Sequence, residues 1–185
     1  KEQRKVKHGG DWSGFLEERG LIPFDYSANV SPLGMPPSAL KAMESLSASD
    51  LSRYPDPECR ALRRAIAARY GIHGDQIFCA NGAADIIYRL SYALRPERAV
   101  LIAPDFGEYA EALANVGTDI TYYMAGNAGS DPDGMGKPRD FAVDRGILSY
   151  INEETDLVIF SNPNNPSGCV TDTEVLHSIL GKCIE

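Results

Sequence analysis

From residue 76 onward the chain alternates short apolar runs with amphipathic stretches: "QIFCA", "GAADIIYRLSYAL", "RAVLIA", "FGEYAEALANVG", "DITYYM", "VDRGILSYI", "TDLVIFS" and "DTEVLHSIL". The apolar runs suit strands buried on both faces, and the stretches between them carry helical spacing. Strands that alternate with helices predict an α/β fold, a three-layer sandwich in which a mainly parallel sheet has helices on both faces. With 185 residues, 43 % of them apolar, the chain can bury one substantial core.

Upstream the grammar differs. "DWSGFLEERG" predicts a short helix capped by Asp11 and stopped by Gly20, and "IPFDYSANVSPLGMPP" an extended loop shaped by its prolines. "SALKAMESLS" reads as a helix, "SRYPDPE" as a turn, and "ECRALRRAIAARYG" as a helix with Leu62, Ile66 and Tyr70 on one stripe, arginines on its solvated face and Gly71 at its end. "AGNAGSDPDGMGKPRD", residues 125–140, reads as a surface loop.

Composition narrows the function classes. A net charge of −8 argues against a nucleic-acid surface, which needs clustered Lys and Arg. Cys59, Cys79, Cys169 and Cys183 form no C-x-x-C pair and have no His at ligand spacing, so neither a metal nor a disulfide framework is expected and a reducing cytoplasm fits. No apolar stretch approaches the roughly 20 residues of a membrane helix, and "KEQRKVKHGG" lacks the apolar segment of a signal peptide. The chain starts without Met and stops within the amphipathic "VLHSILGKCIE", which reads as the first part of a longer protein.

In an open α/β sheet, ligands bind beyond the carboxyl ends of the strands. After "QIFCA", Asn81-Gly82-Ala83-Ala84-Asp85 opens a helix with small residues, leaving backbone N–H groups unshielded at the positive end of its dipole. The same residues also suit a tight helix-to-sheet contact. After "RAVLIA", "PDFGEY" sets an aromatic at a strand end, where it serves either a flat ligand or the core. After "DLVIF", "SNPNNPSG" presents Asn165, which can give and take hydrogen bonds, between prolines that fix the turn. No G-x-G-x-x-G or Walker motif is present.

The ordered set "YPDP" (54–57), "NGAAD" (81–85), "PDFGEY" (104–109) and "NPNNPSG" (162–168) resembles the large domain of fold-type I pyridoxal-phosphate enzymes in the class I/II aminotransferase family. The resemblance covers nearly the whole chain and implies a truncated large domain of the PLP-dependent transferase type. It assigns residues 1–35 to an N-terminal arm and substrate-binding segment, and residues 36–185 to the incomplete cofactor-binding domain. It also implies pyridoxal 5'-phosphate as cofactor, a small-molecule amino-acid substrate, a homodimer, and neither nucleic acid nor membrane as partner.

By that resemblance the N–H groups of Ala83 and Ala84 hold the cofactor phosphate while Gly82 makes room for it. Phe106 stacks on the pyridine ring, Asn165 hydrogen-bonds the phenolic oxygen, and Tyr54 reaches the phosphate of a neighbouring subunit. "HGGDW", "FDYSANVSPLGMPPS" and "RYPD" are most similar to the threonine-phosphate decarboxylase branch, with histidinol-phosphate aminotransferases as near relatives. In that branch His8 and Asn29 would touch the substrate's phosphate. Taken alone, His8 reads as a terminal residue beside two glycines. A regulatory domain of the same fold is the remote alternative, and nothing in the chain reads as a helix-turn-helix.

Three departures bear on the substrate: Ser31 stands where close relatives usually show Asn, Ala84 replaces the usual acidic or polar residue, and the glycine-rich segment 126–136 looks like an addition. The family's Schiff-base lysine lies downstream of the NPNNP turn. Lys182, in "LGKC", is the only lysine beyond that turn and does not sit in a Ser-x-x-Lys context, so it is not assigned the catalytic role and this segment alone is expected to be inactive.

Overall fold

The computed structural model describes residues 10–22, 24–126 and 141–184. Most of the expected surface loop (residues 127–140) lies outside them. The chain divides into two compact units, Lys1–Ala61 and Leu62–Glu185.

In the first unit, helix α1 (Trp12–Arg19) begins where the Asp11 carboxylate accepts the Gly14 N–H at 3.0 Å. It ends where Gly20 turns left-handed at φ 68° and returns its N–H to the Leu16 carbonyl. Helix α2 (Pro37–Glu44) opens on proline, whose fixed φ suits a first turn. Helix α3 (Ala48–Leu51) is a single turn closed by a reciprocal cap: Ser47 accepts the Asp50 N–H, and Asp50 accepts the Ser47 N–H at 2.9 Å. Gly10 donates its N–H to Ser27 Oγ at 2.8 Å, and the Ser27 N–H and hydroxyl both donate to Asp25. No described residue from 10 to 61 is buried.

The second unit is built on a sheet. Helix α4 (Arg60–Tyr70), which starts at the end of the first unit, stops at Gly71, φ 67°. Its Arg63 is not part of a solvated face: Nε and Nη2 donate to the Gly74 carbonyl at 3.1 and 2.6 Å, tying α4 to the 3₁₀ turn Gly74–Gln76. There follow α5 (Gly82–Leu94), β1 (Arg98–Ala103), α6 (Gly107–Ala114), β2 (Asp119–Met124), a 3₁₀ segment Arg145–Tyr150, β3 (Leu157–Ile159) and α7 (Thr173–Ile184). The strands are parallel in the order β2-β1-β3, with Leu101 level with Tyr122 on one side and Ile159 on the other.

The pleat of β1 distributes the core. Val100 and Ile102 face a cluster with Tyr123, Val143, Ile147, Ile151 and, from α7, Val175 and Ile179. Ala99 and Leu101 face the other way, onto Leu113 of α6. Helical segments therefore cover both faces, as strand and helix alternation predicts. Ile102, Leu113 and Ile147 are fully buried, each contributing about 1.5–3 kcal/mol of transfer free energy.

Three expectations need correction. "QIFCA" is not a ladder strand: Ile77 is extended, but β1 is already paired on both edges and residues 77–80 have no strand partner among the described residues. "VDRGILSYI" is a 3₁₀ segment rather than an α-helix. The Asp144 carboxylate accepts the Gly146 N–H at 2.6 Å and the Tyr123 hydroxyl at 2.8 Å, holding the entry in a tight turn that Gly146 does little to resist. The run "TDLVIFS" pairs over only three residues, Leu157–Ile159.

Candidate active site

The strand-end turns after β1 and β3 meet because those strands are neighbours. Phe106 is the N-cap residue of α6 and half-buried, its ring edge-to-face with Tyr109 at 6.0 Å between centroids. Asn165, also half-buried, lies in the turn after β3.

Asp105 joins the two. Its carboxylate accepts the Phe106 N–H at 2.8 Å and the Ser161 N–H at 3.1 Å, and the Ser161 hydroxyl donates to it as well. Ser161 Oγ in turn accepts the Asn165 N–H at 2.8 Å.

A second link runs through Asn164, which is buried. Its Nδ2 donates to the Pro104 carbonyl at 3.0 Å, while its Oδ1 accepts the N–H and hydroxyl of Ser167. The Asn164 N–H donates to the Cys169 carbonyl and its carbonyl accepts the Gly168 N–H, so the turn is satisfied internally. Ala103–Pro104, Asn162–Pro163 and Asn165–Pro166 are cis. Sequence reasoning singled out Phe106 and Asn165 but not Asp105, Ser161 or Asn164.

Gly82, Ala83 and Ala84 form the exposed first turn of α5. First-turn N–H groups have no intrahelical acceptor, so those of Ala83 and Ala84 are presented outward at the positive helix end. Gly82 has φ 84°, and a Cβ built there would meet nothing within 4 Å, so backbone and space together suit close approach of a ligand.

Asp85 completes the turn from the side. It accepts the Asn81 N–H at 3.0 Å and the Arg89 Nε–H at 2.6 Å, and the bond from Arg89, then that from Asn81, hold its carboxyl below the usual range. Helix α5 packs beside α6. Between them Tyr88 faces the buried Glu108 and the exposed Glu111, and burial first, then its hydrogen bond to Glu108, pushes the Tyr88 phenol up.

Tyr54 and Asn29 lie in the first unit, Tyr54 fully exposed in a turn and Asn29 exposed in the loop after α1. His8 lies outside the described residues. Among the described residues no group of three or more His, Cys, Asp or Glu side chains is placed to hold a metal ion, and no helix is long and apolar enough to cross a membrane.

Pyridoxal phosphate, a flat ring with a phosphate and a phenolic oxygen, matches the chemistry of these residues: outward N–H groups over an open glycine, a half-buried aromatic, and an amide in the turn tied to it through Asp105 and Ser161. Threonine-phosphate decarboxylase from Salmonella typhimurium is 31 % identical over 95 % of this chain and 46 % of its own length.

The solved histidinol-phosphate aminotransferase from Clostridium acetobutylicum is 30 % identical with a TM-score of 0.68, over 84 % of this chain and 42 % of that one. The Sinorhizobium meliloti histidinol-phosphate aminotransferase, solved in complex with pyridoxal-5'-phosphate, shares the fold with a TM-score of 0.69 at 23 % identity, over 84 % of this chain and 40 % of that one. The chain thus spans less than half the length of these relatives. Residues 22–184 match the family described as aminotransferase class I and II. With that match over most of its length, and a parallel sheet covered by helical segments on both faces, the chain belongs to the class I and II aminotransferase family.

Proposed function

We propose that the whole protein is a pyridoxal-phosphate enzyme acting on a phosphorylated amino acid, and specifically a threonine-phosphate decarboxylase. The observation that carries the cofactor half of this reading is the tie through Asp105 and Ser161, which links the backbone N–H groups of Phe106 and Asn165 at the ends of adjacent strands. The substrate half rests on the Salmonella typhimurium relative, whose similarity extends over 95 % of the chain.

When bound, the cofactor supplies an aldehyde that captures the substrate amine and a ring that accepts the electrons of the broken bond. The residues of this chain position it. Ala83 and Ala84 donate N–H groups to its phosphate, Gly82 leaves room for that approach, and Phe106 packs on one ring face. Asn165 donates to the phenolic oxygen and favours its anionic form. Tyr54 serves the phosphate site of the second subunit in a cytoplasmic homodimer. The N-terminal segment, residues 1–35, takes the substrate, with His8 and Asn29 on its phosphate, and residues 36–185 belong to the cofactor domain.

The similarity to histidinol-phosphate aminotransferases supports a second reading, transamination of histidinol phosphate. Full-length holoenzyme given threonine phosphate decides between them. Release of CO2 without need of a keto acid is expected, whereas turnover of histidinol phosphate that depends on a keto acid, with no CO2 from threonine phosphate, overturns the leading reading.

A further inference from the structure

We propose that Asp105 is a positioning residue: its carboxylate sets the spacing between Phe106 and Asn165, and so couples the grip on the cofactor's ring face to the grip on its phenolic oxygen. The proposal rests on the cofactor reading above. The bonds are those of a two-ended clamp. At one end Asp105 takes the N–H of Phe106 itself, at 2.8 Å. At the other it takes both donors of Ser161, whose Oγ then takes the N–H of Asn165 itself, at 2.8 Å. Each end acts on the backbone of the functional residue, so neither residue can shift without breaking a bond to the chain of contacts.

Asn164 does a different job. Its side chain ties the turn to Pro104 and to Ser167, which maintains the shape of the loop. The partners Asp105 and Ser161 are 56 residues apart in the chain, so their bonds hold two turns together rather than shaping one of them. A carboxylate suits the task because it accepts several donors at once, and bonds to an ionised acceptor are shorter and stronger than neutral ones.

The test uses the full chain stripped of cofactor and titrated with two probes, pyridoxal phosphate and 3-deoxypyridoxal phosphate, which lacks the phenolic oxygen. Ser161→Ala keeps the bonds of Asp105 to the N–H groups of Phe106 and Ser161 but cuts the link to Asn165. It is expected to weaken pyridoxal phosphate about fivefold, the equivalent of one neutral hydrogen bond, and to leave the deoxy analogue unchanged. Asp105→Ala is expected to weaken pyridoxal phosphate by about tenfold or more and the analogue by less, since both ends of the clamp open.

A variant effect equal for both probes, or no change in either, overturns the proposal, because a merely structural role does not distinguish the phenolic oxygen. If Asp105→Ala does not fold, Ser161→Ala decides alone. Failure of the wild-type full chain to bind pyridoxal phosphate overturns the cofactor reading and this proposal with it. Tight wild-type binding with insensitive variants overturns this proposal only.

Discussion

The two units of the chain are ordered by different physics. In Leu62–Glu185, residues distant in sequence are buried together: β1 packs on both of its faces, and its strand partners lie 21 and 58 positions downstream. In the first unit no described residue is buried, and order comes from side chains that cap or bridge backbone groups, as Asp11, Asp25, Ser27, Ser47 and Asp50 do. Cooperative burial makes an all-or-none structure, whereas local caps yield one turn at a time. The residues proposed to hold the cofactor ring stand on the first kind of support, and Asn29, proposed to meet the substrate, on the second.

The sharpest way to break this contrast is to hollow the core. Leu113→Ala removes a fully buried side chain from the α6 face of the sheet and is expected to cost about 2–5 kcal/mol. Urea unfolding of the full chain should show the loss as a lower midpoint with an unchanged slope.

Tyr123→Phe is smaller. It deletes the hydroxyl that donates to Asp144 at 2.8 Å, at about 1 kcal/mol near neutral pH. Burial, then the Asp144 bond, push the Tyr123 phenol up to about 12 from 10.0. A raised phenol contributes stability that is complete below its unfolded value and lost as pH rises through the folded one, so wild-type stability should decline from about pH 10 to about pH 12. Stability curves of the variant should show a smaller alkaline decline, keeping the share of other raised phenols such as Tyr88.

Ser47→Ala tests the other unit. Loss of its cap is worth about 1 kcal/mol to the helix it closes, and the expected readout is faster amide exchange in Ala48–Leu51 with a urea midpoint barely moved. A large global shift would show that the first unit is coupled to the core after all.

The smallest effect is acidic. Hydrogen bonds from Ser27 and Ser47 hold the Asp25 and Asp50 carboxyls below their ordinary 3.8. Their contribution is therefore present above that value and lost as pH falls through the lower folded ones. NMR amide shifts of Gly10 and Ser47 should move in that range while those of β1 stay put.

What was legible in the sequence tracks the same division. Helix α1 begins at a cap and ends at a glycine, both visible in a few consecutive residues, and β1 declares itself through an apolar run buried on both sides. "QIFCA" carries the same local signal as β1, but a strand is stabilised by its neighbours, and a sequence window does not contain them. "VDRGILSYI" has apolar spacing suited to a helix, while the deciding contact, Tyr123 to Asp144, spans 21 residues.

The site divides likewise. Gly82, Phe106 and Asn165 stand in short motifs with distinctive chemistry. Asp105 and Ser161 look like ordinary turn residues until the parallel pairing of β1 and β3 brings them together across 56 positions.

That pairing has a consequence for transplanting the site. A loop such as "SNPNNPSG" invites grafting onto another scaffold as a self-contained motif. Here the loop takes its place from Asp105, and Asp105 from the level at which two strands stop: Ala99 opposite Leu157, Leu101 opposite Ile159. A host whose strands were offset by one residue would receive both loops intact and still set Phe106 and Asn165 at the wrong separation. The smallest portable piece is the strand pair with both of its ends.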